Sequence, residues 1–88
     1  MEEYLKAIDE WETKKKECPN NATPYFMLGT IYQDIEEYEK ALENYEIFAK
    51  LKPDNKEVYS LIMQVKQSMG ILSPQELLDL VKKSGSIN

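Results

Sequence analysis

The feature that most restricts the fold of this chain is that it repeats itself. Residues 2–21 read EEYLKAIDEWETKKKECPNN, and residues 36–55 read EEYEKALENYEIFAKLKPDN. Laid over one another at an offset of 34 residues, without a gap, they agree at nine of twenty positions. The identities include both Glu-Glu-Tyr openings, the pairs Lys6-Ala7 and Lys40-Ala41, and the prolines Pro19 and Pro53. Ile8 is matched by Leu42 and Trp11 by Tyr45. A fixed period of this size marks a chain built from stacked units. Each unit is too small to bury its own apolar face and depends on its neighbours for a core.

The apolar spacing says what the units are. Tyr25, Leu28 and Tyr32 fall at i, i+3 and i+7, which puts them on one face of a helix. Tyr38, Ala41, Leu42 and Tyr45 fall at i, i+3, i+4 and i+7 on a second. In the first segment the stripe is Tyr4, Ala7, Ile8 and Trp11. Asp54 with Glu57 three residues on reads as an N-cap with a capping box, and Gly70 as a C-terminal cap. Ser73, Pro74 and Glu76 open a last helix as N-cap, first-turn proline and closing glutamate. Leu77, Leu78, Leu80 and Val81 form its apolar side. Gln75, Glu76, Asp79, Lys82 and Lys83 form its polar side. Five helices are therefore expected, at about 2–17, 22–35, 38–51, 55–69 and 74–83, with a frayed tail at 84–88.

Between the two copies, Tyr25, Leu28, Gly29 and Tyr32 have an aromatic-x-x-Leu-Gly-x-x-Tyr spacing. Ala41 and Tyr45 are Ala-x-x-x-aromatic, and Pro53 closes the unit. In these motifs and in its period, segment 22–55 resembles one complete tetratricopeptide repeat. The resemblance makes 2–21 a second-helix half repeat. It makes 56–83 a degenerate repeat with a capping helix, in which Met63 stands for the glycine and Lys66 for the tyrosine. The fold it implies is all-α: antiparallel hairpins stacked as a short right-handed α-solenoid forming one domain over 1–88. Ala7, Trp11, Tyr25, Leu28, Gly29, Tyr32, Ala41, Tyr45 and Pro53 are the expected packing residues. Gly29 and Ala41 would be the small residues at the helix crossing, and Phe48, where the family has alanine, should widen or repack that contact.

Composition removes several function classes. The 88 residues carry a net charge of −5, and all eleven basic residues are lysines, with no arginine and no histidine. That argues against a nucleic-acid partner, which wants a basic surface and bidentate guanidinium contacts. It also removes the commonest acid–base catalyst and metal ligand. Paired carboxylates such as Glu36/Glu37 or Asp9/Glu12 read as solvated helix faces. Lone Cys18 lacks a histidine to activate it and reads as a surface thiol. Lys14, Lys15 and Lys16 complement a helix C-terminus. The six tyrosines read as core. No enzyme activity and no cofactor are expected. The opening residues are acidic and amphipathic rather than a leader, and no apolar run spans a bilayer, so the expectation is a cytoplasmic chain with no membrane partner.

Binding is what remains. The resemblance implies a concave groove lined by the first helices of the repeats. Carried across, its candidate sites are Thr23, Phe26, Thr30, Gln33 and Asp34, then Glu57, Ser60, Gln64 and Gln67, with Asn20 and Asn55 near the edge. The family's carboxylate clamp would need lysine, asparagine and arginine there, and this chain offers Phe26, Thr30 and Leu61. The groove would suit a neutral to basic peptide with an apolar anchor, held against an exposed Phe26. The alternative expectation is self-association through the N-terminal edge, or excision from a longer repeat array, because helix 2–17 has no first helix to cover it.

Overall fold

The computed structural model describes residues 2–85 and places them in five helices: α1 (Glu2–Glu17), α2 (Ala22–Asp34), α3 (Tyr38–Leu51), α4 (Lys56–Met69) and α5 (Pro74–Ser84). Met1 and residues 86–88 lie outside that range, and with them most of the expected tail. Among the described residues there is no strand. Each helix packs on its neighbours in the chain, α1 on α2, α2 on α3, α3 on α4 and α4 on α5. The result is an all-α stack of hairpins, 39 × 25 × 15 Å.

The core runs through the α2–α3 hairpin and into α4. Tyr25, Leu28 and Tyr32 from α2, Ala41, Tyr45 and Phe48 from α3, Val58, Ile62 and Val65 from α4, and Leu80 from α5 are buried in one cluster. Each large apolar side chain so buried contributes roughly 1.5–3 kcal/mol. Gly29 and Ala41 are both buried in the α2–α3 hairpin, and the group closest to Gly29 is Tyr45. Gly29 lies under the ring of Tyr45, so close that a Cβ at Gly29 would stand 2.5 Å from two ring carbons. The small residue makes room for a large one, and the aromatic ring takes the space of the missing side chain. Phe48 is buried and meets the Phe26 ring at 5.1 Å between centroids.

The joints of the stack repeat with the sequence. Tyr25 donates its hydroxyl hydrogen bond to the Pro19 carbonyl at 2.8 Å, and Tyr59, 34 residues on, donates to Pro53 at 2.9 Å. Asn21 caps α2 by accepting from the Thr23 N–H, and Asn55 caps α4 by accepting from the Val58 N–H. The N-cap of α4 is thus Asn55 and not Asp54, because only Asn55 lies at the residue where the helix begins. The ends of α2 and α4 match as well. Glu36 and Glu37 donate to Gln33 and Tyr32, and Gly70 and Ile71 donate to Gln67 and Lys66, the two-bond closure of a left-handed helix end. Gly70 takes the required positive φ of 72° as glycine, whereas at the equivalent position Glu36 takes 63° with a side chain.

The two ends of the stack differ from the middle. No residue of α1 is fully buried. It is tied down by a polar cluster: Glu12 accepts from the Tyr32 hydroxyl at 2.9 Å and pairs with Lys15 at 2.8 Å, and Lys15 reaches the buried Asn44 of α3. Burial acts to raise the Glu12 pKa, but the hydrogen bonds from Lys15 and Tyr32 and the charges of Lys15 and Lys16 outweigh it and hold the carboxyl below its usual range. In α4, Lys66 stands at the Tyr32 position and pairs instead with Glu76 of α5. On α5 the expected apolar side divides. Leu80 is buried and Val81 half-buried, while Leu77 and Leu78 are exposed, because α5 has a neighbour on one side only. Ser84 belongs to α5 rather than to the tail, and Gly85 caps it at φ 78°.

Candidate peptide groove

α2 and α4 approach one another over Tyr45 of α3, close enough for Gln33 to reach Gln64. Between them runs a cleft of about 480 Å³ whose walls are Thr30, Gln33 and Asp34 on α2 and Leu61, Gln64 and Ser68 on α4, with Tyr38 and Tyr45 behind. Tyr45 is its floor. Its hydroxyl donates to Gln33 at 2.7 Å, and the Gln33 amide donates across the cleft to Gln64 at 3.3 Å. Burial, then the carboxylates of Asp34 and Glu57, push the Tyr45 phenol well above its ordinary range, so it stays a neutral donor.

Toward the start of α2 lies a second hollow of about 280 Å³, lined by Thr23, Phe26, Phe48, Asn55 and Glu57. Phe26 is not the exposed anchor the sequence suggested. It is half-buried, edge-on to Tyr45 at 6.1 Å and against Phe48, and its free edge forms part of the hollow. Truncating it would therefore remove core as well as groove. At its other end the cleft opens at Glu36 and Tyr38 onto the α2–α3 turn, a hollow of about 500 Å³ lined also by Glu37, Glu39, Lys40 and Met69. Lys40 is drawn aside, with its ammonium 5.5 Å from the centre of the Tyr32 ring.

Thr23, Phe26, Thr30, Gln33, Asp34, Glu57 and Gln64 thus line the two hollows, and Asn55 sits at the edge while capping α4. Ser60 and Gln67 do not line either one. Their places are taken by Leu61 and Ser68. On α4 the buried ridge is Val58, Ile62 and Val65, so the groove edge falls at 57, 61, 64 and 68. The equivalent residues of α2, Pro24, Leu28 and Ile31, are buried too. Carrying 26 and 33 forward by 34 fails because the cleft lies between the two helices and is lined by residues that are not all equivalent, 30, 33 and 34 on α2 but 61, 64 and 68 on α4. The visible signal was Leu61, an apolar side chain standing outside that ridge. Of the expected packing residues, Tyr25, Leu28, Gly29, Tyr32, Ala41 and Tyr45 are buried, Ala7 and Trp11 are half-buried, and Pro53 is exposed and contributes its carbonyl.

The N-terminal edge is wetter than its aromatic residues suggest. Where α3 buries Asn44 and Phe48, α1 has Glu10 and Lys14, both exposed. The Lys14 ammonium sits 4.7 Å from the centre of the Trp11 ring. Tyr4 and Leu5 are exposed beside it.

No protein-family model matches the chain, and no curated protein matches it. Among the described residues, no helix is long and apolar enough to cross a membrane.

Proposed function

We propose that the chain is a tetratricopeptide-type binding module, without catalytic activity or cofactor, that holds an extended segment of another protein between α2 and α4. The observation that carries this reading is the pair of hollows along α2 and α4: a cleft over the Tyr45 floor with hydrogen-bonding side chains on both walls, and an aromatic hollow at Phe26 and Phe48 toward the start of α2. Apolar hollows with a few placed polar groups are where ligands gain both affinity and orientation. Gln64 and Ser68 are exposed on one wall, in reach of a ligand backbone. A reducing compartment such as the cytoplasm suits the exposed free thiol of Cys18.

Selection of random peptides on the immobilised chain tests the reading. Gln64→Arg and Thr30→Arg, which fill the cleft, should abolish capture of the selected peptides, while Asp79→Arg on α5 should leave it intact. Peptides that bind all three variants equally would remove the groove from the account.

A second reading, self-association through α1, is favoured by the repeat equivalence. Trp11 stands where Tyr45 stands in α3, and no described helix lies over it as α2 lies over Tyr45. Sedimentation over a wide concentration range tests it. A monomer throughout, with unchanged Trp11 emission, would dismiss it.

A further inference from the structure

The groove is asymmetric in charge. Asp34 and Glu36 stand at one end of the cleft and Glu57 borders the aromatic hollow, while no lysine lines either. Beyond the cleft mouth the turn adds Glu37 and Glu39 against Lys40, whose ammonium is turned toward Tyr32. A cleft walled by one sign of charge focuses its field on what enters.

Resting on the groove reading above, we propose that the segment it holds is basic, with an apolar side chain seated in the Phe26–Phe48 hollow and a lysine or arginine three or four residues away opposite Asp34 and Glu36. The spacing follows from the scaffold. Phe26 and Asp34 are eight positions apart on α2, which at helical rise is about 12 Å. An extended chain advances about 3.3 Å per residue, so about three to four ligand residues bridge the two sites. The hollow accepts the apolar anchor because two aromatic rings form its wall at 5.1 Å. The opposite end accepts a cation because its carboxylates have no lysine beside them in the cleft. Acidic segments are repelled by the same groups. The pattern is the reverse of a carboxylate clamp.

Fluorescence anisotropy with labelled nonapeptides tests this. The reference probe carries one leucine and one lysine four positions apart, made in both orders, in a serine–glycine background. Three comparison probes replace lysine by glutamate, replace leucine by serine, or move the lysine next to the leucine. The reference should bind most tightly, by about threefold to tenfold over the glutamate probe, as expected for one or two exposed ion pairs. Asp34→Asn with Glu36→Gln should erase that preference and leave the leucine dependence, and raising salt should do the same. Equal binding of the lysine and glutamate probes would overturn the charge assignment. Equal binding of the adjacent leucine–lysine probe would overturn the spacing. In both cases, weakening of every probe by Gln64→Arg would show that the groove itself still binds. Probes that bind equally to Gln64→Arg, or that fail to bind at all, would overturn the proposal together with the groove reading.

Discussion

Replacing Gly29 by alanine sets two effects of known size against each other. Alanine is the better helix former by about 1 kcal/mol. Its methyl, however, would stand 2.5 Å from Cδ1 and Cε1 of Tyr45 and 3.0 Å from Cζ, where carbon atoms rest at about 3.5–4.0 Å. The ring has to withdraw by about 1 Å, and it has nowhere easy to go. It is fully buried, packed edge-on by Phe26, and its hydroxyl is held by Gln33 at 2.7 Å. Overpacking of a rigid core group costs about 1–3 kcal/mol, and a lost hydrogen bond adds about 1 kcal/mol. The balance is a destabilisation of about 2 kcal/mol, or about 8–16 °C in Tm for a domain of this size. Urea unfolding followed by far-UV circular dichroism measures it. Tyr45→Phe releases the hydroxyl tether, so the alanine should cost less in that background than in the parent. A Gly29→Ala chain as stable as the parent, or an equal cost in both backgrounds, would refute the argument from the Tyr45 ring.

Glu36 holds a left-handed backbone that costs a side-chain-bearing residue roughly 1–2 kcal/mol. Glu36→Gly, the residue the chain itself uses at position 70, should raise stability by about 0.5–1 kcal/mol once glycine's greater freedom in the unfolded chain is counted; thermal melts that shift downward would contradict this. Tyr25→Phe and Tyr59→Phe each remove one joint hydrogen bond, at about 1 kcal/mol for Tyr25 and less for the more exposed Tyr59 contact, and the two losses should add because the joints are separate. The Tyr32 phenol is pushed up to about 12 by burial, by its bond to Glu12 and by the nearby Glu12, Glu37 and Glu43 charges. The folded chain therefore holds that proton more tightly than the unfolded one. Its contribution is complete below about pH 10 and is lost as pH rises through about 12. Tyr32→Phe should flatten the fall of stability across that window, and an unchanged alkaline profile would exclude Tyr32 as its source.

Much of the architecture was legible because it depends on patterns that sequence carries directly. The 34-residue echo locates the joints, and apolar spacing locates the helices nearly to the residue. What escaped depends on rotation and on third parties. Gly29 pointed to a close approach of α3, but that the Tyr45 ring is the group lying nearest to it depends on how α3 is turned. Asp54 and Asn55 are both good caps, and only the path of the chain chooses between them. Ser60 and Gln67 were placed in the groove by analogy with α2, yet the cleft lies between the two helices, and Leu61 and Ser68 are the α4 residues that line it beside Gln64. Leu77 and Leu78 look like core in a one-dimensional pattern, but a helix with one neighbour has room for few buried residues. Phe26 was read as an exposed groove residue because the family's groove sites were carried onto it, while its contacts with Tyr45 and Phe48 come from a helix about twenty residues on.

The matched joints have a consequence for how long such a molecule can be. Pro19, Asn21 and Tyr25 at one junction do what Pro53, Asn55 and Tyr59 do at the next: the tyrosine–proline tethers match, and each asparagine caps its helix, Asn21 on the N–H two residues on and Asn55 on the N–H three residues on. A segment bounded by two such junctions begins and ends on matching hardware. Residues 22–55 could be set in tandem, and every cap and every tyrosine–proline tether would find its counterpart in the added copy. The chain in this sense has a lattice spacing along one axis, and the length of its groove is a number of translations rather than a fixed dimension.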